Sequence, residues 1–157
     1  MNIHLIRHAK TNPMSDSGKD FDRSLLPKGF QQCVMLKEFL VDKLENSRIY
    51  CSSSNRTRST ANLILNDIQL EHVTYLKELY LASSKSLFDF LASLNFTEDV
   101  VIIGHNEGLS ELVYYLTGEN IVLSTASSVS IAFDIPNLSW ISKSTGVVIS
   151  HFSPKIL

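Results

Sequence analysis

Cysteine is scarce in this chain: its 157 residues hold two, Cys33 in a helix-like stretch and Cys51 at the end of a strand-like one. That is too few, and too differently placed, for a disulfide scaffold or a zinc site, so both read as reduced core residues. Excess charge is also missing. A formal net charge of -2 and a pI near 6.2 exclude bulk attraction to nucleic acid or anionic lipid, so any affinity for anions has to be local. No run approaches the ~20 apolar residues of a membrane span. In the opening MNIHLIRHAK the apolar run is broken by His4 and Arg7, and no small-residue cleavage site follows, so it does not read as a signal peptide. A cytoplasmic protein is expected. There is no repeat, no low-complexity tract and no linker rich in Pro, Gly or Ser, which predicts one continuous domain over residues 1–157. Hydrophobic residues at 44% and charged residues at 19% place that domain among folded globular proteins rather than disordered ones.

What the chain does have is alternation. Asn2 to Ile6 reads as a strand that runs into the polar turn Arg7-His8-Ala9-Lys10-Thr11. From Pro27 to Leu44, the residues Phe30, Cys33, Val34, Leu40, Val41 and Leu44 recur at helical spacing, predicting a core-facing helix with Pro27 near its first turn. Arg48 to Cys51 predicts a second strand, and one of Ser52 to Asn55 is expected to cap a helix through Ala61 and Leu65. Val73 to Leu76 suggests another strand, followed by a helix through Leu87, Phe90, Leu91 and Leu94 opened by Ser84 or Ser86. Val100 to Ile103 is a continuous β-branched run of the kind a parallel strand shows when both of its faces are buried. It ends in Gly104-His105-Asn106-Glu107-Gly108, before a helix from Leu109 to Leu116. Ser127 to Asp134 and Val147 to Phe152 read as closing strands. The sum is an α/β fold, a three-layer α/β/α sandwich with a mainly parallel central sheet, in which ligands bind beyond the carboxyl ends of the strands.

Three of those strand exits carry Arg or His. An Arg7-His8 pair after an apolar strand can face the crevice, where the imidazole attacks and the guanidinium grips an oxyanion. Arg56 and Arg58 begin a predicted helix, where positive charge opposes the macrodipole unless an anion is shared with the backbone N–H groups. A phosphate contact is therefore expected for Arg56, and a solvated surface charge for Arg58. His105 is flanked by Gly104 and Gly108, which permit close backbone approach to a ligand. His4, His72 and His151 are expected to have no direct role.

Taken in order, Arg7-His8-Ala9, Asp22-Arg23-Ser24-Leu25 with Gly29, the run Ser52 to Ala61 around Arg56, and Gly104-His105-Asn106 resemble the histidine phosphatase superfamily, whose fold is phosphoglycerate mutase-like. More narrowly they are similar to its small SixA-type phosphohistidine phosphatases, as is the late Ser124 to Ser127 segment. The resemblance implies a catalytic set of His8, Arg7, Arg56 and His105. His8 would be the nucleophile, passing through a covalent phosphohistidine, and Arg7, Arg56 and His105 would bind the transferring phosphoryl group without metal or other cofactor. Ala9 replaces the wider superfamily's Gly, and Glu107 stands where similar sequences more often have Pro; Glu107 reads as a first-turn helix acid.

Superfamily members acting on oxygen esters present a carboxylic acid from the segment between the later motifs. Here the candidate general acids are Glu78 first and Asp89 second. A phosphorylated imidazole can leave with its other nitrogen already protonated, so weak acid candidates favour an N–P substrate. The short span from Arg56 to His105 leaves no room for a large cap. The favoured substrate is accordingly a phosphohistidine borne on a protein, such as a phosphotransfer domain or a phosphocarrier. The alternatives are a broad-specificity phosphomonoesterase acting on small phosphoesters and a non-catalytic phosphate-binding module; a mutase would need a deeper pocket and a clear acid. Nucleic acid and membrane partners are not expected.

Overall fold

Buried completely on both faces, the run Val100–Gly104 lies near the middle of the sheet. The structure, a computed structural model, describes residues 1–155. Its strands are β1 (Asn2–Arg7), β2 (Arg48–Ser52), β3 (Val73–Leu76), β4 (Val100–Gly104), β5 (Ser128–Phe133) and β6 (Gly146–Phe152). They form one sheet in the order β3-β2-β4-β1-β5-β6. The β3-β2, β2-β4 and β4-β1 pairs are parallel, whereas the β1-β5 and β5-β6 pairs are antiparallel. The sheet is thus mainly parallel, as the α/β reading anticipated.

Period-two alternation divides the core into two layers. Ile3, Leu5, Val100, Ile102, Val129 and Ile131 pack on one face with α4 (Ser84–Ser93) and α5 (Gly108–Thr117). Ile6, Ile49, Cys51, Val101 and Ile103 pack on the other with α1 (Pro27–Leu40) and α2 (Asn55–Ile64). Both cysteines are buried and free. Desolvation raises the Cys33 thiol to about 11 and the Cys51 thiol to about 12, so neither is a thiolate at neutral pH. No helix among the described residues is long and apolar enough to cross a membrane.

Several local expectations need correction. Helix α1 ends at Leu40 rather than Leu44: Val41 leaves the helical region and Asp42 takes a positive φ of 61°. Its inward stripe is Gly29, Gln32, Cys33, Leu36 and Leu40, leaving Phe30, Val34 and Val41 exposed. The helix is rolled so that Gly29 meets the Lys10 main chain; a Cβ there would run into the Lys10 carbonyl oxygen. Gln32 accepts the Lys10 amide at 2.8 Å and donates to Thr125 Oγ1 at 2.9 Å. A close approach to the loop after β1 therefore overrides hydrophobic patterning. The cap of α4 is Ser83, whose hydroxyl accepts the Ser86 amide, rather than Ser84 or Ser86. A short helix absent from the sequence reading, α3 (Asp67–Glu71), is opened by a capping box between Asn66 and Gln69.

Candidate active site

The carboxyl ends of β1, β2 and β4 lie side by side, and their exits deliver the site. Past Arg7, the chain stays tied to its neighbours: the His8 amide donates to the Gly104 carbonyl at 3.1 Å, and the His8 carbonyl accepts from Ala126 at 2.9 Å. The Ala9 amide donates to Thr60 Oγ1, which itself donates to the Arg56 carbonyl, so the loop after β1 is fixed to α2. These contacts make the position of His8 a property of the backbone.

The imidazoles of His8 and His105 face each other with ring centroids 5.4 Å apart. His8 Nδ1 lies 2.8 Å from the Ala9 carbonyl oxygen, an acceptor only, so Nδ1 carries the proton and Nε2 keeps its lone pair. Arg56 Nε donates to that Nε2 at 3.3 Å. Desolvation lowers the His8 pKa to about 4, with the Ala9 hydrogen bond working against it and the nearby arginines reinforcing it. His8 is therefore neutral at pH 7, the form in which an imidazole is a nucleophile. Burial and the Arg56 charge lower His105 to about 3, so it is neutral as well. Its Nε2 bonds Ser52 Oγ at 2.8 Å, while its buried Nδ1 has no partner.

Arg7 donates through Nη1 to the Leu123 carbonyl at 2.9 Å, and its Nε is buried without a partner. Its pKa is lowered by burial and by the like charge of Arg56, a crowding of cations that an anion relieves. The cavity, about 370 Å³, is lined by Arg7, His8, Lys10, Arg23, Arg56 and His105 among others. Asp20 is the carboxylate in that lining. It is held well below the usual carboxylate range by hydrogen bonds from Tyr80 first, and from Arg23 and Arg56. Two orphaned donor-capable nitrogens among four cations form a site suited to an oxyanion.

The four residues expected to act together, His8, Arg7, Arg56 and His105, are thus brought to one cavity. Glu78 is not: it sits exposed on the 3-10 turn Lys77–Leu79, outside the lining. Asp89 pairs with Lys85 at 2.7 Å on the surface of α4, and Glu107 is exposed at the start of α5. Arg58 is a surface residue as expected, donating to the Ser53 carbonyl and stacking 4.0 Å over the Tyr75 ring. His4 is buried against Ser130 Oγ at 2.7 Å, on the sheet interior. Sequence reasoning missed Asp20, Tyr80 and Ser52. Tyr80 lies two residues from the Glu78 it did consider, edge-on to His105 with centroids 5.4 Å apart. Among the described residues no cluster of His, Cys, Asp and Glu could hold a metal ion.

A larger hollow of about 560 Å³ opens at the other, amino edge of the sheet, where its Arg48 is already paired with Glu98 at 3.0 Å. It gathers no comparable set of unpaired nitrogens.

Among known families, the histidine phosphatase superfamily (branch 1) matches residues 3–83. The chain belongs to that superfamily. Comparison with curated protein sequences finds no match. Among solved structures, this histidine phosphatase is similar to SixA from Agrobacterium tumefaciens, with a TM-score of 0.80 at 20% identity over 98% of this chain and 97% of that one. The protein histidine phosphatase SixA complexed with tungstate superposes with a TM-score of 0.78, also at 20% identity, covering 98% and 97%. Phosphoglycerate mutase from Thermus thermophilus gives 0.65 at 18% identity over 99% and 100%. The fold is accordingly phosphoglycerate mutase-like.

Proposed function

We propose that this histidine phosphatase hydrolyses phosphohistidine on a partner protein, with His8 as nucleophile and Arg7, Arg56 and His105 binding the phosphoryl group. The observation that carries the reading is the tautomer of His8: a proton fixed on Nδ1 by the Ala9 carbonyl leaves a neutral Nε2 aimed into the arginine-lined cavity. His8 Nε2 attacks phosphorus as the bond to the substrate's imidazole breaks, and the electron pair leaves on that nitrogen. Water then forms a new P–O bond as the His8 Nε2–P bond breaks, releasing phosphate and a proton and restoring neutral His8. Negative charge on the phosphoryl oxygens is met by the guanidiniums of Arg7 and Arg56, and by His105 Nδ1 when that nitrogen carries the ring proton.

Two features favour an N–P substrate on a protein. Asp20 is held ionised by Tyr80, Arg23 and Arg56, so it accepts rather than donates a proton, which suits a leaving imidazole already protonated on its far nitrogen. Lys10, Asp20 and Leu81, on the cavity rim, are exposed, so the opening is not roofed over and a group carried on a folded partner can reach it. The test is labelling with a phosphodonor followed by acid. Wild type is expected to carry an acid-labile phosphoryl group that His8→Ala lacks; label retained by the variant removes His8 as nucleophile. Turnover of sugar phosphates far above that of phosphohistidine peptides would replace this substrate with a small phosphoester.

A further inference from the structure

The nitrogen-bearing side chains of the cavity are unequally engaged. Arg7 Nε and His105 Nδ1 are buried without partners, yet Arg56 has every nitrogen committed. Its Nε faces His8, its Nη1 donates to the Asp20 carbonyl oxygen at 2.8 Å, and its Nη2 donates to Asp20 Oδ2 at 3.0 Å. The buried guanidinium already holds an anion, and that anion is part of the chain.

Asp20 is equipped to let go. Its other oxygen, Oδ1, pairs with Arg23 Nη1 at 3.0 Å, and Oδ2 also accepts from the Tyr80 hydroxyl, so the carboxylate keeps two partners when Arg56 turns away. It lies in the 3-10 turn Asp20–Asp22, on the segment between β1 and α1, and its side chain is 43% exposed. Tyr80 is packed between Phe21 and His105, with centroids 4.9 Å and 5.4 Å away. This gives the released carboxylate a fixed place to rest.

We infer that Asp20 is a built-in competitor of the phosphoryl group for Arg56, which substrate displaces and which returns to help expel the phosphate product. A carboxylate and a phosphoryl dianion on one buried guanidinium repel each other, so the site binds one or the other well but not both. The pairing keeps Arg56 aligned between turnovers and lowers the affinity for free phosphate, which would otherwise accumulate as a tight product complex. The inference rests on the phosphatase reading above and goes beyond it to the control of that site.

Tungstate and inorganic phosphate are the probes, titrated calorimetrically into the full chain. Asp20→Asn keeps the size and the oxygen facing Arg56 but removes the charge, and should tighten both anions about tenfold, with phosphate inhibiting turnover at correspondingly lower concentration. Asp22→Asn removes an equal charge two residues away, at a carboxylate that bonds Ser17 rather than Arg56, and should change binding by less than about twofold. Unchanged or weaker binding to Asp20→Asn overturns the inference, as does equal tightening in Asp22→Asn. Wild type that binds neither anion would remove the phosphatase reading itself.

Discussion

Acid should weaken this fold through His8, by an amount that its burial sets. His8 titrates near 6.5 in an unfolded chain and is lowered to about 4 by burial in the folded one. Between those values the unfolded chain binds the extra proton, so stability falls as pH drops through 6.5 and levels off below about 4. At about 1.36 kcal/mol per pH unit, the His8 contribution comes to roughly 3 kcal/mol. That is large against a total stability of ~5–15 kcal/mol. His8→Asn removes the titrating group, so the variant should lose about 3 kcal/mol less than wild type between pH 7 and pH 4. The measurement is urea unfolding at pH 7, 6, 5 and 4, comparing the slope with pH rather than absolute stability, since repacking shifts both ends alike. Parallel curves for the two proteins would refute the claim that His8 is held neutral by burial. With His8 acting as proposed, the same neutrality predicts that turnover stays level from pH 7 down to about 5 as far as ionisation of His8 is concerned.

Further outcomes follow from individual contacts. Ser52→Ala leaves His105 Nε2 without its 2.8 Å partner and frees the ring tautomer; turnover should fall roughly tenfold to a hundredfold, and the ¹⁵N shifts of His105 should change. Unchanged ¹⁵N shifts would show that the hydroxyl does not set the tautomer. Arg7→Ala should abolish turnover with the fold intact, and loss of the circular dichroism spectrum would contradict this. Gly29→Ala places a methyl against the Lys10 carbonyl and should cost about 1–3 kcal/mol, read as a lower Tm. Arg58→Ala, which loses an exposed bond and a stacking contact, should leave turnover unchanged within about twofold.

Residues whose placement follows from the strand they terminate were legible in the sequence. Arg7-His8 and His105 could be put at one edge because parallel strands end on the same side of a sheet, and the apolar runs before them mark those strands plainly. Arg56 could be assigned because a cation at a helix start needs an anion. Asp20 and Tyr80 escaped for the opposite reason. Each lies at an irregular turn with no periodicity, and they meet across 60 positions only because the segment between β1 and α1 folds over the cavity. The motifs direct attention to a carboxylate in the later segment, around Glu78, and away from this one. The orientation of α1 was also hidden: its exposed Phe30 and Val34 are apolar and its buried Gln32 is polar, so the deciding contact, Gly29 against Lys10, runs against the hydrophobic pattern.

The strand order has a consequence for how the enzyme comes into being. Strand β1 is an inner one, flanked by residues 100–104 on one side and 128–133 on the other, all made long after it. Until those later segments exist, residues 2–7 have no sheet to join, and both Gly104, which takes the His8 amide, and Ala126, which grips its carbonyl, are missing. Closing contacts across more than a hundred positions makes for slow assembly. On the proposed reading, His8 therefore has no assembled site to act in until about residue 133 has emerged and the middle of the sheet has closed.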